Sequence, residues 1–143
     1  MHAMIRRRDA AQAAVARFRD ARFAWGVNDC ARLAAFTLRK LGYRPPMPRA
    51  GSYRTLLAAR KALKAAGFAD LPDALDALAL PRLTLAYALP GDVVAVPGEE
   101  GLTALWISVG NGRVLGWHQD SELCSIIQPT FAEAVVWRAD PRG

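Results

Sequence analysis

The apolar residues of this 143-residue chain change their spacing near Pro81. Before Pro81 they recur every three or four positions, which is the period of an amphipathic helix. After it, apolar and polar residues alternate or form short apolar runs, which is typical of strands. The pair Asn111-Gly112 between two extended runs is the strongest short-range signal for a hairpin. The sequence therefore predicts an α+β fold, with helices first and an antiparallel sheet after them.

The boundaries of these elements follow from caps, glycines and prolines. Asp9 is the expected N-cap of the first helix, so residues 1–8 are expected to form a flexible start to a single domain over 1–143. The predicted helical segments are 9–21, 30–41, a helix that opens at Ser52 and stops at Gly67, and a turn over 72–79. About five strands are predicted: 92–96, 103–109, 113–118, 123–127 and 134–138.

Composition narrows the class of protein. No apolar stretch approaches the length of a membrane span, and no apolar segment follows the N-terminal arginines, so we expect neither a span nor a signal peptide. Cys30 and Cys124 do not form a disulfide framework, and Cys124 is expected to be buried. No cysteine and histidine spacing indicates zinc. We therefore expect no metal, no cofactor and synthesis in the reducing cytoplasm of the cell that makes the protein.

Charge is distributed unevenly along the chain. Residues 1–67 hold 15 Lys and Arg against three acids, and residues 68–143 hold four Arg against ten acids, so their net charges are +12 and −6. Such asymmetry suits an acidic protein partner, an anionic envelope or nucleic acid. It equally suits solvated helix faces that attract the acidic half. Nucleic acid is the least favoured partner because no recognised motif accompanies the charge.

The block from Phe23 to Cys30 carries the most chemical information. Asp29 is a good N-cap, which places Cys30 in the first turn of a helix, where unpaired N–H groups favour a thiolate. The charge of Asp29 acts against that thiolate. Cys30 also shares one helix face with three apolar residues, Ala34, Leu38 and Leu41. Cys30 is therefore either a nucleophile presented to a cleft or a small apolar core residue.

Four stretches carry a resemblance to known families: Trp25-Gly26-Val27-Asn28-Asp29-Cys30, Pro90-Gly91-Asp92-Val93-Val94, Ala104-Leu105-Trp106-Ile107-Ser108-Val109-Gly110-Asn111-Gly112 and Ala134-Val135-Val136-Trp137-Arg138. The first three resemble the nucleophile block, a strand opening and the histidine-bearing strand of NlpC-type papain-like cysteine peptidases, which cut bacterial cell-wall peptides. The whole chain more closely resembles a phage- and prophage-associated family of unknown function, distantly related to these peptidases.

The resemblance implies a papain-like fold with Cys30 as the nucleophile, but the sequence departs from the family at the base. Ala104 stands where the peptidases have the catalytic histidine, and Gly116 stands where they have the residue that orients it. His118 lies two residues beyond Gly116, so on a regular strand it faces the same side, about 7 Å further along. His118 could act as a substitute base, oriented by Asp120, or it could be a polar residue at a strand end. The resemblance places four residues along the cleft: Trp25, Asp29, Ala104 and Trp106.

Two functions follow from this resemblance. The favoured one is a phage tail-tip or baseplate component of the virion with a degenerate active site, which binds tail hub or baseplate proteins during assembly or contacts the host envelope. The alternative is an active cell-wall cysteine peptidase or amidase delivered at the tail tip, with peptidoglycan as its substrate. Ala104 favours the first, because alanine can neither hold a thiolate as an ion pair nor protonate a leaving amine. Trp106 replaces a small glycine of the peptidases, so it is expected to fill the cleft.

Overall fold

A computed structural model describes residues 2–46, 51–97, 103–118, 121–129 and 134–143 of the chain. Its helices are α1 (Ala3–Phe18), α2 (Cys30–Lys40), α3 (Leu56–Ala65) and α4 (Leu71–Asp76). Its strands are β1 (Arg82–Thr84), β2 (Val93–Pro97), β3 (Thr103–Gly110), β4 (Arg113–Gly116), β5 (Ser125–Ile127) and β6 (Val135–Trp137), with a 3-10 turn at Leu85–Tyr87. The prediction of helices followed by an antiparallel sheet is confirmed.

The sheet contains six strands within the described ranges, in the order β1-β6-β2-β3-β4-β5, and every neighbouring pair is antiparallel. The sequence predicted about five strands and missed β1. That strand has three residues and follows Pro81, so it carries little local signal. It exists because it pairs with β6, where Leu83 lies opposite Val136.

The hairpin between β3 and β4 forms where the Asn-Gly pair predicted it. Gly110 pairs with Arg113, which leaves Asn111 and Gly112 as the two loop residues. Both have positive φ, 56° and 73°, as a type I′ turn requires. A register shift between Ser108 and Gly110 precedes the turn. The hairpin therefore ends in a tight, conformationally defined tip.

Helix α1 begins six residues earlier than its expected cap at Asp9. The side chain of His2 is the actual N-cap and accepts a hydrogen bond from the backbone N–H of Met4 at 3.1 Å. The prediction that residues 1–8 form a flexible start is therefore wrong for 3–8, which are helical. Arg7, in this stretch, is only 2% exposed, so the first turns of the helix are held against the rest of the fold.

The arginine at position 7 belongs to a buried ionic network centred on Asp92. Asp92 is fully buried and accepts hydrogen bonds from Arg7 at 2.9 Å, from Arg138 at 3.0 Å and from the backbone N–H of Ala139 at 2.8 Å. Arg7 also binds Asp140. The network joins α1, the start of β2 and the end of β6. It gives the Gly-Asp-Val-Val and Trp-Arg stretches a shared structural role.

The sheet separates two clusters of apolar side chains, because successive residues of a strand point to opposite faces. The cluster on the helix side contains residues of α1 and α2 together with Val93, Leu105, Ile107 and Leu115. The cluster on the far side contains six buried residues: Val94, Val96, Trp106, Val114, Ala134 and Val136. Cys124 is fully buried in the helix-side cluster, as predicted.

Candidate active site around Cys30

A tight turn delivers Cys30 to the first position of α2. The carboxylate of Asp29 accepts a hydrogen bond from the backbone N–H of Arg32 at 2.8 Å, which is the predicted N-cap. Its other oxygen accepts from the backbone N–H of Gly26, also at 2.8 Å. Asp29 is 1% exposed, so both bonds are shielded from water. This carboxylate therefore closes the turn and caps the start of α2.

Glycine is required at position 26 for two reasons. Its φ is +79°, which is strained for other residues, and a Cβ there would lie 2.1 Å from the backbone oxygen of Tyr53. The Gly51 N–H donates to the Gly26 carbonyl oxygen at 2.7 Å, so a hydrogen bond joins the turn before α2 to the segment that holds Gly51 and Tyr53. Tyr53 is buried beside Asp29, and burial together with that carboxylate raises its pKa. The need for glycine at position 26 and the burial of Asp29 both follow from this packing against Tyr53.

Asn28 also has structural partners. Its side-chain N–H donates to the backbone oxygen of Arg22 at 3.3 Å, and its side-chain oxygen accepts from Arg17 at 3.3 Å. Its backbone N–H donates to the carbonyl oxygen of Ala24 at 2.8 Å. Asn28 therefore holds the turn before α2 against the end of α1.

The thiol of Cys30 is not activated. Cys30 is partly buried in the helix-side cluster, and burial raises the pKa of its thiol to about 11. This value includes the backbone of Leu105, which lowers the pKa, the charge of Asp29, which raises it, and the backbone of Ala31, which lowers it. Because this pKa lies well above neutral pH, the thiol stays protonated at pH 7.

Trp25 lies in a row of aromatic rings beside this turn. Its ring contacts Phe23 edge-on at 4.9 Å between centroids, and Phe23 contacts Trp117 at 5.7 Å. Trp117 in turn contacts Phe18 at 6.1 Å, and its indole N–H donates to the backbone oxygen of Ala21. Trp25 is half-buried, so part of its ring remains exposed.

The two predicted site residues on β3, Ala104 and Trp106, lie on the far side of the sheet. Leu105 packs in the helix-side cluster, whereas Ala104 and Trp106 pack in the far-side cluster. The ring of Trp106 covers Gly116, where an added Cβ would lie 2.1 Å from the indole. The indole N–H of Trp106 donates to the backbone oxygen of Trp117 at 3.1 Å. Trp106 therefore fills the space above Gly116.

His118 lies against Trp106, with the two ring centroids 5.0 Å apart. The predicted strand over 113–118 ends at Gly116, so His118 lies beyond it, and both residues contact the ring of Trp106. Neither ring nitrogen has a hydrogen-bond partner among the described residues, although both nitrogens are buried. Burial lowers the pKa of His118, and the backbone of Ser125 raises it to a smaller degree. The structure thus packs His118 against Trp106, and neither of its ring nitrogens is hydrogen-bonded to Cys30.

Asp120, predicted to orient His118, lies outside the described residues. Among the residues that are described, no group of three acidic, histidine or cysteine side chains could hold a metal ion. Within the same ranges, no helix is long and apolar enough to cross a membrane. The described part of the site therefore consists of a neutral thiol, a separate imidazole and a well-packed turn.

Sequence analysis missed two buried neighbours of this turn, Tyr53 and Arg32. Tyr53 is 4% exposed and Arg32 is 6% exposed. Tyr53 follows Asp29 by 24 positions across a proline-rich stretch, so no local spacing predicts their contact. The contact between Tyr53 and the Asp29 cap therefore depends on tertiary packing.

The family of the chain is decided by a match that spans nearly its whole length. Residues 4–138 match the model of a domain of unknown function, DUF6950. The chain belongs to the DUF6950 family. Comparisons with curated proteins and with solved structures found no match. The matched range of this DUF6950 domain includes the turn before α2, the hairpin, and Arg7, Asp92 and Arg138 of the buried network.

Proposed function

We propose that this protein is a tail-tip or baseplate component of a phage-like particle, with an NlpC-like, papain-type fold and a degenerate active site. It acts in tail assembly or in contact with the host envelope, and tail hub or baseplate proteins are its partners. The proposal draws on the order of the four sequence stretches that resemble the phage-associated relatives of NlpC-type peptidases.

The observation that carries the proposal is the state of Cys30. Burial raises the pKa of its thiol to about 11, and the only described imidazole near the sheet, that of His118, packs against Trp106 instead. A cysteine hydrolase needs a thiolate and a proton donor for the leaving group. The described residues supply neither at pH 7, so the fold is better suited to docking than to turnover.

A second candidate is an active cell-wall cysteine peptidase or amidase with Cys30 as nucleophile. It is favoured by the position of Cys30 as the first residue of α2, where backbone groups of Ala31 and Leu105 act to lower the thiol pKa. A helix N-terminus of this kind could also stabilise an oxyanion. The raised pKa of the free thiol weighs against this candidate.

Two experiments distinguish the candidates. In the first, purified wild-type protein and Cys30→Ser are incubated with peptidoglycan, and released fragments are measured by mass spectrometry. Our proposal predicts no release by either protein. Release by the wild type that is lost in Cys30→Ser would overturn the proposal and support the hydrolase.

In the second experiment, phage-like particles that encode the protein are purified and their components are identified by mass spectrometry. The proposal predicts that the chain co-purifies with tail proteins and binds the tail hub protein in a direct pull-down. Particles that lack the chain, with no binding to the hub, would overturn it.

A further inference from the structure

A groove of about 400 Å³ lies between α1 and the β3–β4 hairpin. We call it the α1–hairpin groove. Arg8 and Gln12 line its helix side, and Asn111 and Arg113 line its hairpin side. Its volume falls within the range of about 300 to 1,000 Å³ that is usual for ligand sites. It is separate from Cys30 and His118, neither of which lines it.

The floor of the α1–hairpin groove is apolar. Val15 and Ala11 of α1, Val109 of β3 and Ile126 of β5 contribute to it. Val15, Val109 and Ile126 are only partly buried by their own chain, so each leaves apolar surface that a ligand could cover. The groove therefore offers a strip of apolar contact between two polar walls.

The polar walls of the groove carry positive charge from Arg8 and Arg113. None of the residues that line the groove is acidic. Arg8 pairs with Asp9, but both side chains are more than half exposed, so this pair is weak and easily exchanged. Arg113 forms no ion pair within the described ranges. Two guanidinium groups are thus available to bind carboxylates in a bidentate manner.

Both walls of the groove are fixed in place. Arg7, next to Arg8, is bonded to Asp92 and to the backbone oxygen of Pro90, which itself lines the groove. The hairpin wall is held by its tight turn at Asn111. A preformed groove loses little conformational entropy when it binds a ligand.

We propose that the α1–hairpin groove binds a short acidic peptide segment of a partner protein, in which carboxylates flank apolar side chains. The carboxylates bind Arg8 and Arg113, the amides of Gln12 and Asn111 bind the peptide backbone, and the apolar side chains cover Val15. The charge of the groove and its apolar floor together favour this class over a purely polar anion. The proposal does not depend on the function proposed above.

The test uses the ¹⁵N-labelled full chain and a capped peptide of alternating glutamate and leucine, followed by NMR titration. The matched control peptide has glutamine in place of glutamate. We expect the acidic peptide to shift the amide signals of Gln12, Asn111 and Gly112, and the glutamine peptide to bind at least about tenfold more weakly. Shifts confined to residues outside the groove would overturn the proposal.

Charge variants locate the binding. Arg8→Gln and Arg113→Gln should each weaken the acidic peptide about tenfold. Arg19→Gln removes the same charge from an exposed position that does not line the groove, and it should change affinity by less than about twofold. Equal weakening by all three variants would mean non-specific attraction and would overturn the proposal.

A steric variant tests the groove itself. Ala16 lines the groove and is exposed, so Ala16→Trp fills the space without entering the core. A dispersed NMR spectrum with lost peptide binding is the expected result, and retained binding would overturn the proposal. Free glutamate that binds as tightly as the peptide would indicate a small-anion site, and a DNA oligonucleotide that displaces the peptide would indicate nucleic acid; either result would also overturn it.

Discussion

The indole of Trp106 and the imidazole of His118 pack together on the sheet face that lies away from α2, with ring centroids 5.0 Å apart. Burial at this contact lowers the pKa of His118, so the ring is neutral at pH 7. A neutral imidazole packed there cannot hold the thiolate of Cys30 as an ion pair. The one histidine that sequence offered as a substitute base is therefore used in packing.

This contact makes folding stability depend on acid pH. The pKa of His118 is lower in the folded chain than its unfolded value of about 6.5, so the unfolded chain binds a proton more readily. Stability should be unaffected above that value and should fall as pH decreases below it. Between about pH 7 and about pH 5, we expect the free energy of unfolding measured in urea to fall more steeply for wild type than for His118→Gln. Equal losses in the two proteins would contradict the burial of this ring.

The buried carboxylate of Asp92 should be essential for stability. It accepts hydrogen bonds from Arg7, Arg138 and two backbone N–H groups, so Asp92→Asn leaves a buried guanidinium without its main counter-charge. We expect the free energy of unfolding to fall by about 3 to 5 kcal/mol in urea denaturation. Asp9→Asn, which breaks an exposed pair, should cost less than about 1 kcal/mol. Similar losses in both variants would be inconsistent with a buried network.

The contact between Gly26 and Tyr53 can be tested with a matched pair of glycine variants. Gly26→Ala and Gly67→Ala both place alanine at a positive φ, but only the first brings Cβ against a backbone oxygen. We expect Gly26→Ala to be less stable than Gly67→Ala by about 1 to 3 kcal/mol, because overpacking adds to the backbone strain. Thermal and urea unfolding measure the difference. Equal stability would mean that the turn does not contact Tyr53.

Sequence reasoning predicted the parts of this fold that depend on local signals. The Asn-Gly pair predicted the hairpin at Asn111, and Asp29 predicted the start of α2 at Cys30. Each of these features depends on residues within a few positions of one another, where backbone geometry fixes the outcome.

The features that sequence missed depend on distant contacts. Arg7 was assigned to a flexible start, but its partners Asp92 and Asp140 follow it by 85 and 133 positions. Strand β1 forms because β6 lies beside it. Alternation along a strand could not indicate which face of the sheet α2 covers. That single choice decides whether His118 can meet Cys30, and only the packed sheet reveals it.

The most direct test of an inactive Cys30 site is the pH dependence of Cys30 alkylation by iodoacetamide, followed by mass spectrometry. Wild type is compared with His118→Ala, and Cys30→Ser corrects for Cys124, whose thiol pKa burial raises to about 12. With the Cys30 pKa at about 11, we predict slow alkylation near neutral pH, a rate that rises only towards that value, and no effect of His118→Ala. A free thiol has a pKa of about 8.5. Rapid alkylation at a pH well below that value, slowed in His118→Ala, would contradict this account and indicate a working thiolate–imidazole pair.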